Sequence, residues 1–71
     1  MKTSRALSLN TKRAISKYGY ETCREAYEMH MQGNGASTVS YSIGVLRGNT
    51  NAGDAAINAG RELAEKNAAT I

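Results

Sequence analysis

The sequence contains no Pro, Phe or Trp, and only one Cys and one His. A single Cys cannot form an internal disulfide, whereas a secreted protein of this size normally needs several. No apolar run approaches the length of a signal-peptide core or a transmembrane helix. We therefore expect a cytoplasmic protein that is neither exported nor inserted in a membrane.

Large aliphatic side chains are also scarce. Leu, Ile and Val number ten among the 71 residues, a share below the ~20% at which disorder becomes a serious alternative. Helical periodicity, eleven Ala and a net charge of only +3 favour a folded chain, because disordered chains combine low hydrophobicity with high net charge. We expect one small domain, residues 1–71, whose thin core a second copy in a homodimer or a ligand could complete.

Charge is distributed unevenly along the chain. The basic N-terminal segment, residues 1–20, carries five bases and no acid, whereas residues 21–71 carry four bases and six acids. Laid on a helix at 100° per residue, the five bases fall on one side of residues 2–18. Such a stripe is typical of proteins that neutralise phosphates. It predicts binding to a polyanion through Lys2, Arg5, Lys12, Arg13 and Lys17.

Glycines divide the chain into four segments, of which the first two predict helices. The first helix covers either residues 2–18 or only Thr11–Tyr18 with Asn10 as its cap, and Gly19 ends it in both cases. The second, Tyr20–Gln32, is amphipathic. The residues on its apolar face are Cys23, Ala26, Tyr27 and His30.

The third segment, Ser37–Leu46, is ambiguous. Its apolar residues alternate with small ones as in a strand, but three of them also form a helical face. No second strand is evident to pair with it, so we favour a helix. The predicted fold class is an all-α bundle of three to four helices; the alternative is an α+β fold with one strand at Ser37–Leu46.

The fourth segment predicts a helix that begins at Thr50 or Asn51. Its apolar face consists mostly of small residues, so another helix can approach closely. A bulky substitution at Ala56 or Gly60 should disrupt that contact. The predicted face contains Ala52, Ala56, Ile57, Ala59, Gly60, Leu63 and Ala64.

The residues offer little to catalysis or metal binding. Cys23 and His30 lie seven residues apart, ~10.5 Å along a helix, too far to share a zinc ion or to act as nucleophile and base. We expect His30 to be a core residue with one hydrogen bond. The run Gly33–Thr38 lacks the ending of a P-loop and predicts a helix–helix turn. We expect no enzyme activity, no cofactor and no metal.

The stretch Ala36–Ala59 resembles a helix-turn-helix. That family places a small residue midway along its first helix and a glycine four residues later, where this sequence has Ser40 and Gly44. Where the family has a short turn, residues 46–50 are inserted. The resemblance covers about a third of the chain and implies that the start of the fourth helix faces the major groove. The residues it places nearest the DNA are Arg47, Asn49, Thr50 and Asn51.

Two functions follow from these patterns. The leading expectation is a small DNA-binding regulatory or accessory protein, which uses the basic segment on phosphates and the helix-turn-helix-like element in the groove. The alternative is a protein–protein inhibitor or adaptor that docks a host protein or nucleoprotein complex. The size of the chain is similar to that of small accessory proteins of phages and prophages.

Overall fold

In a computed structural model the described part of the chain forms four helices: α1 (Leu9–Tyr18), α2 (Tyr20–Met31), α3 (Ala36–Ser42) and α4 (Asn51–Ala69). The structure describes residues 7–44 and 51–69, with side chains as far as residue 66. Over these residues there is no strand, so the predicted all-α bundle is confirmed. None of the helices in these two ranges is long and apolar enough to cross a membrane.

The ends of α1 are set by local hydrogen bonds. Ser8 has an extended backbone, and its hydroxyl accepts from the backbone N–H of Thr11 at 3.2 Å. Ser8 is therefore the N-cap; the predicted cap at Asn10 is wrong, and a helix running through from residue 2 is interrupted here. Gly19 ends α1 as predicted, with a φ of +97° and its N–H bonded to the carbonyl of Ile15.

The α2 helix matches its predicted start and ends one residue early. Its buried face holds Cys23 and Ala26, but His30 is exposed, so its predicted place in the core is wrong. It lies in the last turn, and its Nδ1 is 3.3 Å from the carbonyl oxygen of Asn34. The predicted helix–helix turn follows, with Gly33 at a φ of +104°. It is shorter than the predicted Gly33–Thr38, because α3 begins at Ala36.

The ambiguous third segment is helical over Ala36–Ser42. A helix satisfies its backbone groups within the segment, whereas a lone strand would leave them without partners. The strand alternative is therefore wrong for the described part of Ser37–Leu46. The helix ends earlier than predicted, because Ile43 and Gly44 form a turn in which Gly44 has a φ of +81°.

The α4 helix is the centre of the bundle and contacts each of the other three helices, α2 most extensively. Eight of the buried residues form two clusters. One joins Ala14, Cys23, Ala59 and Leu63, and the other joins Ala26, Val39, Ala56 and Ile57. The half-buried Tyr18 ring packs against both clusters and connects them.

Two glycines of α4 allow the close packing. A Cβ atom built at Gly60 would lie within 3.0 Å of the Cys23 carbonyl in α2, and one at Gly53 would lie within 3.0 Å of the Ala36 carbonyl in α3. The predicted apolar face is buried from Ala52 to Leu63, but Ala64 is exposed, so that part of the prediction is wrong. The sequence pattern also missed Gly53, which is buried.

Candidate nucleic-acid interface

An open cleft of about 530 Å³ runs between α1 and α4. Its volume lies within the ~300–1,000 Å³ that ligand sites usually have. The residues that line it are Ser8, Asn10, Thr11, Arg13, Ala14, Lys17, Tyr18, Asn51, Ala52, Ala55, Asn58 and Glu62.

The α1 side of the cleft is basic. Arg13 and Lys17 are exposed and four residues apart, so they lie on the same side of the helix. The ammonium of Lys17 stands 5.5 Å from the centroid of the Tyr18 ring, within the ~6 Å range of a cation–π contact. Lys12 is exposed beside them, and α1 contains no acid. This side can therefore attract an anion.

The α4 side of the cleft carries two amides. Asn51 and Asn58 are both exposed and, being seven residues apart, lie on the same helical face ~10.5 Å apart along the axis. The Nη2 of Arg61 donates to Oδ1 of Asn58 at 3.0 Å. That bond uses the oxygen of the amide and leaves both of its N–H groups to donate to a ligand.

Glu62 joins α4 to the start of α1. Its Oε2 accepts from the backbone N–H of Ser8 at 3.1 Å, and its Oε1 lies 3.0 Å from the Ser8 hydroxyl. The hydroxyl of the buried Thr11 donates to the same Oε1. A carboxylate at a helix N-terminus is stabilised by the helix dipole. The negative charge of Glu62 is thus turned toward α1.

The structure brings together predicted residues from distant parts of the sequence. Arg13 and Lys17 were predicted from the basic stripe and Asn51 from the helix-turn-helix resemblance, and all three line the same cleft. Lys12 is exposed on α1 but does not line it. The remaining predicted residues lie outside the described part of the chain: Lys2, Arg5, Arg47, Asn49 and Thr50.

Sequence reasoning missed Asn10, Asn58 and Glu62 as residues of the cleft. A helical projection of α4 does place Asn58 on the same line as Asn51, so a signal for that residue existed. The pairing of Glu62 with Ser8 spans 54 residues. No local pattern in the sequence indicates it.

The most reactive side chains lie away from the cleft. Cys23 is fully buried, and this burial raises the pKa of its thiol. His30 is exposed near the other end of α2. Among the side chains that the structure describes, no three His, Cys, Asp or Glu residues are grouped as metal ligands would be.

The exposed surface of α2 forms an acidic ridge, which consists of Glu21, Glu25 and Glu28 around Arg24.

Comparison with models of protein families, with curated proteins and with solved structures found no match to this chain. Its function is therefore inferred from the charges and hydrogen-bonding groups around the cleft.

Proposed function

We propose that the protein binds DNA through the basic surface of α1 and the cleft beside it. The observation that carries the proposal is the position of Arg13 and Lys17 on one side of a cleft whose other side begins with Asn51. Cations supply the attraction to phosphates, and neutral amides donate hydrogen bonds to them. The basic segment and the start of α4 then act together as one DNA-binding surface.

The distribution of charge over the described helices favours an orientation in which α1 faces the DNA and α2 faces away from it. Lys12, Arg13 and Lys17 are exposed on α1, which has no acid, while the acidic ridge lies on α2. A duplex carries one negative charge per ~1.7 Å of axis, so it would repel the ridge and attract α1. The N-terminus of α4 adds the positive end of a 19-residue helix to the cleft, and the exposed Asp54 in its first turn offsets part of that charge.

The test is the salt dependence of binding to a labelled DNA duplex, measured by fluorescence anisotropy. Each phosphate contact contributes ~0.9 to the slope of log K against log salt. Replacing Lys12, Arg13 and Lys17 by Ala should lower the slope by roughly 2.7. Between 50 and 200 mM salt the wild type should then lose roughly 40-fold more affinity than the triple variant, since four raised to the power 2.7 is about 40.

Arg24→Ala provides the matched control, because it removes one exposed cation from the acidic ridge. It should leave the slope unchanged. The proposal is wrong if the wild type does not bind duplex DNA at low salt. It is also wrong if the triple variant binds with the wild-type slope.

A protein–protein function is the second candidate, and the acidic ridge of α2 favours it. Glu21, Glu25 and Glu28 share an exposed helical face, which suits a basic partner such as a nucleic-acid-binding host protein. A partner recovered from extract after nuclease treatment should be lost when the three Glu residues become Gln. Recovery only of nuclease-sensitive material would contradict this function.

A further inference from the structure

We propose that the cleft between α1 and α4 holds the sugar–phosphate backbone of one strand of duplex DNA, with Asn51 and Asn58 as phosphate-binding residues. This inference rests on the proposed function and specifies what the cleft contacts. It assigns a role to Asn58, which neither the basic stripe nor the helix-turn-helix resemblance indicated. It also predicts that these contacts are independent of base sequence, since phosphate contacts carry no sequence information.

The shape of the site favours the backbone over the base edges. Base edges lie at the floor of a groove and are reached by a protruding helix, whereas Asn51 and Asn58 line a cleft with α1 on its other side. A cleft receives a protruding ligand. The phosphate backbone is the ridge that a duplex presents on either side of its grooves.

The chemistry of the two sides fits a phosphodiester. Arg13 and Lys17 provide positive charge from α1, and the N–H groups of Asn51 and Asn58 can donate from α4. Arg61 occupies the oxygen of the Asn58 amide, so the donors of that amide are the groups left for a ligand. A phosphodiester accepts hydrogen bonds and donates none, so it is complementary to the donors on the two sides of the cleft.

Glu62 is the acid that lines the cleft, and its contacts reduce its effect on a phosphate. Both carboxylate oxygens accept hydrogen bonds from α1 or its N-cap, Oε2 from the Ser8 N–H and Oε1 from the Thr11 hydroxyl. The N-terminal dipole of α1 offsets part of its charge. The DNA backbone is thus expected along the part of the cleft formed by its four proposed contacts, Arg13, Lys17, Asn51 and Asn58.

The salt dependence of binding distinguishes the contribution of the neutral amides from that of the cations. Asn51→Ala and Asn58→Ala should each weaken duplex binding about fivefold, the equivalent of ~1 kcal/mol for one hydrogen bond. Neither should alter the salt slope, because no charge is removed. The loss should be equal for duplexes of unrelated sequence. Gln32→Ala, an exposed amide at the end of α2, is the matched control and should have no effect.

Isosteric variants separate loss of binding from loss of folding. Asn51→Asp places an acid in the first turn of α4, where it stabilises the helix, but it replaces the donor by a negative charge. It should therefore bind DNA more weakly than Asn51→Ala while unfolding at the same or a higher temperature. Asn58→Asp should likewise bind more weakly than Asn58→Ala.

Three results would overturn the inference while leaving the proposed function in place. One is wild-type affinity in both Ala variants. Another is a change in preference among duplex sequences, which would mean that the amides contact bases. The third is tighter binding to a single strand than to a duplex of the same length. Failure of the wild type to bind any duplex would instead refute the proposed function.

Discussion

The packing of α4 against α2 leads to a prediction in which two known effects oppose each other. Gly→Ala in the middle of a helix normally stabilises it by ~1 kcal/mol. At Gly60 the added Cβ would lie 2.5 Å from the Cβ of Tyr27, 0.9 Å inside the 3.4 Å at which ordinary contact begins, and closer still to the Cys23 carbonyl. Neither atom can move aside by a side-chain rotation, so the two helices must separate.

The size of the steric penalty decides whether Gly60→Ala stabilises or destabilises the protein. Overpacking a buried site costs ~1–3 kcal/mol and occasionally more, and here it involves a backbone atom and a Cβ, so we expect the upper end. After subtraction of the ~1 kcal/mol gain in helix propensity, Gly60→Ala should destabilise the protein by about 1–2 kcal/mol. For a chain of this size that corresponds to a fall in Tm of roughly 4–16 °C.

Thermal unfolding followed by circular dichroism measures this effect. Ala64→Gly is the matched control, because Ala64 is exposed on the same helix and its replacement removes only the helix propensity, ~1 kcal/mol. If packing at Gly60 were unimportant, Gly60→Ala would raise the free energy of unfolding by about as much as Ala64→Gly lowers it. A Tm for Gly60→Ala at or above that of the wild type would refute the predicted contact between α4 and α2.

Two further predictions concern buried polar and titratable groups. The hydroxyl of Ser40 is buried without a hydrogen-bond partner among the described residues, so Ser40→Ala should raise the free energy of unfolding in urea by ~1 kcal/mol. Ser42→Ala, at an exposed position, should raise it less, and a loss of stability in Ser40→Ala would contradict the prediction. Burial raises the pKa of Cys23 above the ordinary thiol value of 9.0. Above pH 9 the thiol ionises in the unfolded chain before it does so in the folded one, so the free energy of unfolding of the wild type should fall relative to that of Cys23→Ala. If the difference between the two free energies stays constant up to about pH 10, burial does not raise the pKa of the thiol.

The helices could be predicted wherever the pattern was local. Gly19 ends α1 because glycine adopts positive φ at low cost, and the helical spacing of apolar and charged residues predicts α2 well. Ser37–Leu46 was harder, since its residues fit both periodicities. The lack of a second strand in the sequence led to the correct prediction of a helix, because a lone strand would leave its backbone without hydrogen-bond partners at a high cost in free energy.

The cleft could be predicted only in part. The basic residues Arg13 and Lys17 were evident from charge, and Asn51 was implied by the helix-turn-helix resemblance. Their proximity depends on how α1 lies against α4, which the sequence does not encode locally. The exposure of His30 was mispredicted because a helical projection places it beside Ala26 and Tyr27 but cannot show which side chains of that face the neighbouring helices cover.

The hydrogen bonds between Ser8 and Glu62 have a consequence for the order in which the chain acquires its structure. The two residues are 54 positions apart, so at ~5–20 residues per second a ribosome adds Glu62 roughly 3–11 s after Ser8. Until then α1 lacks its contacts with Glu62, and an isolated helix of ten residues is marginal in water. The described part of the basic surface therefore takes its final form only when translation has passed residue 62.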